Sequence, residues 1–391
     1  MRFADRMGHL KTAASFEMLA RGKALEAQGR SIVHLGIGEP DFDTPSFIRR
    51  AAAEALEAGY THYGPAPGLP EFRRTIAAQW RERRGIACEA ANVVVTPGAK
   101  PILFFAMVAL LEPGDEVLIP SPAFPNYNSI AEFLGARVVP VPLLPAKGFD
   151  VDLAALEARI TPRTRILLLN SPHNPTGGVI APATLAAIAE LAKRHDFTVI
   201  SDEIYAGMVY DGESPSIATL PGMAERTVVV DGFSKTYAMT GWRIGFAAAP
   251  VKVASAMSNL QDQVTSNPTS FAQKGAIAAF NLDPRGVEEM RAEFHSRRDL
   301  IVDLLRAIPG VTLTTPGGAF YAFPDVSHYL GGTIKTDGDL ANHLLETAQL
   351  AMMPGYVFYG PGHLRISYAA SRDSIKKGVE RLGEALSKIA R

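Results

Sequence analysis

R-I-L-L-L-N-S-P-H-N-P-T-G-G, Arg165 to Gly178, is an apolar run that stops on polar, proline and glycine residues. Arg165 to Leu169 shows no polar alternation, so it reads as a strand buried on both faces inside a parallel sheet. Asn170 to Gly178 is then the loop at the strand's carboxyl end. The pattern repeats outward in both directions. Asn92 to Thr96, Glu116 to Ile119, Arg137 to Val141, Phe197 to Ile200 and Thr227 to Val230 read as further short strands. Ala51 to Leu56, Glu71 to Arg83, the apolar stretch from Lys100 to Leu111, and Ala183 to His195 read as helices between them. Strands alternating with helices predict an α/β fold, a mostly parallel central sheet flanked by helices.

The character changes after about Asp283. A long polar helix, Val287 to Ile308, leads into scattered strands at Val311 to Thr314, Ala319 to Phe323 and His363 to Tyr368. A final helix runs from Ser374 to the end. The expected organisation is a large α/β domain over residues 46–285. A smaller α+β domain is expected from residues 286–391 together with the N-terminal segment 1–45.

Composition narrows the function. The 391 residues carry 39 Lys+Arg against 40 Asp+Glu, a balance unlike the basic surplus of a nucleic-acid binder. Cys88 is the single cysteine, which excludes an intramolecular disulfide framework, a Cys-rich zinc site and CxxC redox chemistry. Met1 to Leu10 has no apolar core and is not expected to be a signal peptide. The longest apolar run, Ile102 to Leu111, is far short of the roughly 20 residues a membrane helix needs. A cytoplasmic protein with no membrane or nucleic-acid partner is therefore expected. The histidines show no ligand spacing such as HExxH, so no metal is expected. No GxSxG occurs, and Gly36-Ile37-Gly38 is followed by Glu39-Pro40 rather than a dinucleotide fingerprint.

Ligands of open parallel sheets bind beyond the carboxyl ends of the strands. Four polar clusters stand there: Thr96 to Lys100, Asn170 to Gly177, Asp202 to Tyr205 and Asp231 to Lys235. A lysine at the lip of an apolar sheet becomes a usable amine when desolvation lowers its pKa. The Pro97-Gly98-Ala99 turn opens a helix whose free N–H groups suit a phosphate, with Ser234 and Arg243 to complete the cup. A buried aspartate, Asp202, can hold a proton on a heteroaromatic nitrogen. These are the requirements of pyridoxal phosphate.

Ser234-Lys235-Thr236-Tyr237-Ala238-Met239-Thr240-Gly241-Trp242-Arg243 resembles the lysine segment of the class I/II, fold-type I aminotransferases. Gly36 to Phe42, Asn170 to Gly177, Asp202 to Tyr205 and Leu364-Arg365-Ile366-Ser367 are similar to that family's other blocks, in the same order. The resemblance implies that Lys235 binds the cofactor covalently and then serves as acid and base. It implies that Asp202 pairs with the pyridinium nitrogen, and that Asn174 and Tyr205 hydrogen-bond the ring's phenolic oxygen. Ala99, Lys100, Ser234 and Arg243 would surround the phosphate, and Phe124 would stack on the ring. Arg365 would clamp the substrate α-carboxylate, with the Gly38 N–H and Asn174 beside it. Tyr63 would reach the phosphate of a neighbouring subunit, which implies a homodimer with its active sites at the interface. Two positions depart from the family pattern: Phe124, where Trp or Tyr is common, and His173, where a small or amide residue is usual.

The expected activity is amino-group transfer between an L-amino acid and a 2-oxo acid, with aspartate the leading donor by family frequency. A lyase, oxidase or cyclase on the same site is the alternative, since the same parts serve each outcome. A transcription regulator is not expected, because the family blocks begin near Ser31.

Overall fold

A computed structural model describes residues 2–10, 14–281 and 285–389. In chain order, a short strand β1 (Val33–His34) precedes the strands β2 (Val93–Thr96), β3 (Glu116–Ser121), β4 (Arg137–Leu144) and β5 (Asp150–Val151). Next come β6 (Thr164–Asn170), β7 (Thr198–Asp202), β8 (Thr227–Gly232) and β9 (Gly245–Ala248). β10 (Tyr321–Ala322), β11 (Leu350–Ala351), β12 (Met353–Pro354) and β13 (Leu364–Ser367) follow. β2 to β9 form one sheet in the order β2-β9-β8-β7-β6-β3-β4-β5. The pairs β4–β3, β3–β6, β6–β7 and β7–β8 are parallel. β9 runs antiparallel to both its neighbours.

The apolar runs work as two-sided strands. Leu167 and Leu169 join a cluster with Leu185, Ile188 and Leu191 on one face. Ile166 and Leu168 join Ile102, Phe105 and Met107 on the other. Successive strand residues point to opposite faces, so unbroken hydrophobicity in sequence becomes helix cover on both sides. The helix Pro70–Arg84 is typical of the flanking layer. Proline opens it, and Phe72, Ile76, Ala77 and Trp80 make its buried face. Gly85 ends it with φ +65°, just after a basic last turn of Arg81, Arg83 and Arg84.

The rest of the chain builds smaller sheets. β10, β13 and β12 form an antiparallel sheet in that order, and β1 pairs in parallel with β11. Arg285–Arg306 is the long polar helix, and Arg372–Ser387 is the last one. Two expected strands change. Val311 to Thr314 holds only an isolated bridge from Thr312 to Asp325. Ala319 to Phe323 shrinks to Tyr321–Ala322, because Ala319 sits at φ +57° and cannot continue an extended chain. The helices Val251–Thr265 and Ser270–Asn281 and the reversed strand β9 escaped the sequence reading. The change of character near Asp283 and the last two residues lie outside the described residues. No helix among the described residues is long and apolar enough to cross a membrane.

Candidate active site

The carboxyl ends of β2, β6, β7 and β8 lie along one edge of the large sheet, as their registers require. Asn170 closes β6 and links that edge. Its amide donates to the Asp202 carbonyl at 2.9 Å, and its Oδ1 accepts the Asn174 N–H at 2.9 Å.

Asp202, the last residue of β7, is buried. Its Oδ2 accepts from the Tyr127 hydroxyl at 2.8 Å and its Oδ1 from the Ile204 N–H at 3.2 Å. Burial pushes its carboxyl up to about 6, against the pull of those two donors and of Lys235. Lys235 Nζ donates to the Gly38 carbonyl at 2.6 Å and stands 5.7 Å from the Phe320 ring. Burial lowers this amine to about 8; Glu39 opposes the shift, and Arg365, Lys100 and Arg243 reinforce it. A carboxylate and an amine thus face one space with their protonation states brought close to neutrality.

A cup for an anion sits beside them. Ala99 is the N-cap of the helix Lys100–Leu110 and supplies no capping side chain; Pro101 has no N–H and the Ile102 N–H bonds the Ala99 carbonyl at 3.1 Å, which leaves the Ala99 and Lys100 N–H groups for an anion. Gly98 has φ +89°, and a Cβ there would lie 2.1 Å from Arg243 Nη2. Glycine is what lets the guanidinium lie against this turn. Arg243 donates from Nη1 to the Thr240 carbonyl at 3.0 Å and from Nη2 to Pro97 O at 3.4 Å. Ser234 is buried beside Lys235. Phe124 caps the helix Pro125–Phe133, with Lys100 Nζ 5.4 Å from its ring. Lys100 makes no ion pair among the described residues, and burial followed by Arg243 lowers its pKa.

Arg365, on β13, is 4% exposed. Its guanidinium lies between the Tyr321 and Phe358 rings, at 4.6 and 4.5 Å. Nη1 donates to Asn174 Oδ1 at 3.1 Å and Nη2 to the Gly36 carbonyl at 2.6 Å. Nε has no partner, and no carboxylate pairs with this cation among the described residues. A buried arginine with neutral partners and an orphaned donor is a receptor for an anion. Tyr205 and Tyr321 share a hydroxyl contact at 2.8 Å below it. A Cβ on Gly38 would lie 2.0 Å from the Tyr321 hydroxyl oxygen, so the Gly36–Gly38 loop closes directly on these rings.

Lys235, Asp202, Asn174, Tyr205, Arg365 and Gly38 are therefore brought together, with Ala99, Ser234, Arg243, Lys100 and Phe124 around the adjoining cup. Tyr63 is not; it is 90% exposed. His173 is buried and turned to its own loop, with Nδ1 2.8 Å from Thr176 Oγ1. Burial drops its pKa to about 3, so it is a neutral strut of the loop. Sequence reasoning missed Tyr127 and Tyr321, and it set Asn170 in the strand-end cluster without giving it a role. Tyr127 follows Phe124 by one helical turn, and that spacing was the available signal.

The family model for aminotransferase class I and II matches residues 30–382. The chain belongs to that family; it is a transaminase, and pyridoxal phosphate is its cofactor. It is 42% identical, over 99% of both chains, to the probable aspartate/prephenate aminotransferase of Aquifex aeolicus. It is 39% identical to an aspartate aminotransferase of Rhizobium meliloti, over 99% of this chain and 97% of that one. The solved aspartate aminotransferase of Thermus thermophilus with maleate superposes with a TM-score of 0.94 at 39% identity, covering 98% of this chain and all of that one. The residues present fit the cofactor. The Gly98–Arg243 cup suits its phosphate, and Asp202 and Lys235 suit its ring nitrogen and aldehyde.

Proposed function

We propose that this transaminase takes aspartate as its amino donor and passes the amino group to a 2-oxo acid. The carrying observation is Arg365, a buried cation with an unpartnered Nε beside Asn174 and within the field of Lys235. An α-carboxylate seated on Arg365 is oriented by the fork of the guanidinium, which holds the neighbouring Cα–H toward Lys235. The names of the relatives agree with this donor.

Each residue's task follows from its chemistry. Lys235, with its pKa near 8, gives up and regains a proton close to neutral pH, which suits a general base and acid. Asp202, with its pKa near 6, is ionised at pH 7 and can hold a proton on the ring nitrogen. When bound, the cofactor supplies the electron sink that makes the donor's Cα–H acidic. Asn174 and Tyr205 would hydrogen-bond the ring's oxygen. Ala99, Lys100, Ser234 and Arg243 hold the phosphate, and Phe124 covers the ring face. Tyr63, exposed on the single chain, is assigned to the partner's phosphate in a homodimer of the cytoplasm. The division into residues 46–285 and residues 1–45 with 286–391 stands as part of the same reading; the pairing of β1 with β11 supports it.

A single-turnover scan tests the donor. Amino acids are added singly to the holoenzyme without oxo acid, and absorbance is followed. Aspartate converting one cofactor per site, with one oxo acid released, is the expected result. Conversion by alanine but not aspartate would reject the dicarboxylate reading, and ammonia release would reject transamination. Sedimentation of the parent and of Tyr63→Ala tests the dimer.

A further inference from the structure

Behind the site, on the far side of Asp202, lies a charge cluster that the chemistry above does not use. Arg84 ends the helix Pro70–Arg84 and reaches two strand ends at once. Its Nη2 donates to Glu203 Oε2, and its Nη1 lies 3.4 Å from Asp231 Oδ2. Glu203 follows Asp202 directly, at the end of β7. Its other oxygen accepts from Ser201 Oγ and Ser216 Oγ, both at 2.7 Å. Asp231 lies on β8, four residues before Lys235, and accepts the Gly232 N–H at 2.7 Å. The side chains of Arg84, Glu203 and Asp231 are 19, 5 and 16% exposed. The Arg84 guanidinium also lies 5.5 Å from the Trp80 ring, which fixes its approach.

We propose that Arg84 is a positioning residue for the cofactor's ring-nitrogen partner. One guanidinium ties the ends of β7 and β8 together and offsets carboxylate charge that would otherwise act on Asp202. This inference rests on the assignment of Asp202 to the ring nitrogen.

The electrostatics support the geometry. Three carboxylates, Asp202, Glu203 and Asp231, crowd two adjacent strand ends. Burial raises Asp231 to about 7; Arg84 pulls it back, and Glu203 and Asp202 push it up. Asp202 feels Glu203 in the same sense, while Tyr127, the Ile204 N–H and Lys235 hold it down. Tyr205 stands near and senses Asp202 in turn. Asp202 holds a ring proton only as a carboxylate. A cation on Glu203 therefore keeps Asp202 ionised, although the two side chains leave opposite faces of the strand. Serines alone share Glu203's charge without cancelling it.

The test measures retention of pyridoxal phosphate by the holoenzyme in equilibrium dialysis at pH 5, below the Asp202 value of about 6, where each unit of rise in that pKa cuts its carboxylate form about tenfold; melting temperature is followed in parallel. Arg84→Met is expected to weaken retention about tenfold, the equivalent of one pKa unit at Asp202. Adding Glu203→Gln removes the nearer of the two charges that Arg84 balanced, the one adjoining Asp202, and is expected to bring retention back to within about threefold of the parent, half such a unit. A purely mechanical tether gives no rescue, so an unchanged or deeper loss in the double variant overturns the proposal. Parent-like retention in Arg84→Met overturns it as well. Arg84→Lys keeps the charge without the fork and covers the case in which Arg84→Met does not fold. It is expected to stay within about threefold of the parent, and a tenfold loss there counts against the charge argument. Asp202→Asn is the control. Undiminished retention in that variant removes the assignment of Asp202 itself; a loss there with none in Arg84→Met removes only the role of Arg84.

Discussion

Arg84 is drawn partly out of water and Arg365 almost wholly, and the chain treats the two charges in opposite ways. Arg84 has two carboxylates, and Glu203 and Asp231 more than reverse the effect of burial on its pKa. Arg365 has an amide oxygen, a carbonyl, two aromatic faces and a free Nε, and burial lowers its pKa. The first charge is satisfied within the fold. The second is left to be satisfied by something that arrives. Breaking a buried pair leaves an uncompensated charge and is costly, whereas a buried cation surrounded by neutral groups already bears that cost and is open to an incoming anion.

The contrast can be broken most forcefully at Arg365. Arg365→Gln is expected to lower kcat/KM by about a hundred- to a thousandfold, the usual loss of a buried charge-assisted contact, with melting temperature unchanged or higher. A fall in melting temperature with kinetics intact would make Arg365 a structural residue. Next in size is the uptake of pyridoxal phosphate by the apoprotein, which needs the neutral Lys235 amine. Uptake is expected to fall about tenfold per pH unit below pH 8 and to level off above it. Arg365→Gln should move this limb to higher pH, because Arg365 is among the cations that depress Lys235.

The same shift acts on folding. Lys235 titrates near 8 in the folded chain and near its ordinary 10.5 when unfolded, so the folded chain binds fewer protons between those values. Its contribution to stability therefore increases as pH rises from 8 to 10.5. Denaturant titrations of the apoprotein should show the rise, and Lys235→Met should remove it. Arg84→Met is expected to cost about 2 kcal/mol of stability, less than a fully buried pair because part of the guanidinium meets solvent. Here the melting temperature falls, the reverse of Arg365→Gln. Smallest is Tyr127→Phe, which removes one hydrogen bond to Asp202 and should weaken cofactor retention by about fivefold, roughly 1 kcal/mol. Dialysis against buffer reads it, and parent-like retention would assign Asp202's hold to its other partners.

Lys235, Asp202 and Asn174 were legible because each stands just after an apolar strand, where polarity has no packing purpose. Arg365 was legible through its block, but its isolation from carboxylates was not, since that depends on which rings and carbonyls close over it. Arg84 reads in sequence as one more charge in a basic last turn. Only the approach of that helix to the ends of β7 and β8 gives it partners. Tyr321 meets Tyr205 across the two sheets, a distance that no local pattern encodes. The reversed strand β9 was invisible because G-F-A-A is short and small. Gly245 is needed there, since a Cβ would lie 2.4 Å from the Ala99 nitrogen.

Among the described residues β1 pairs with β11 alone, and Val33 pairs with Leu350. The Gly36 carbonyl that holds Arg365 follows directly from that strand. On the ribosome, the strands from Val93 to Ala248 emerge and can pair long before residue 350 leaves the exit tunnel. The loop at Gly36–Gly38, made among the first residues, waits for nearly the last ones to fix it. If Lys235 captures the cofactor and Arg365 the donor, as proposed, the two tasks draw on parts of the chain made at different moments. The substrate half of the site is its final assembly step, and a chain released early would carry the sheet without the means to choose an amino acid.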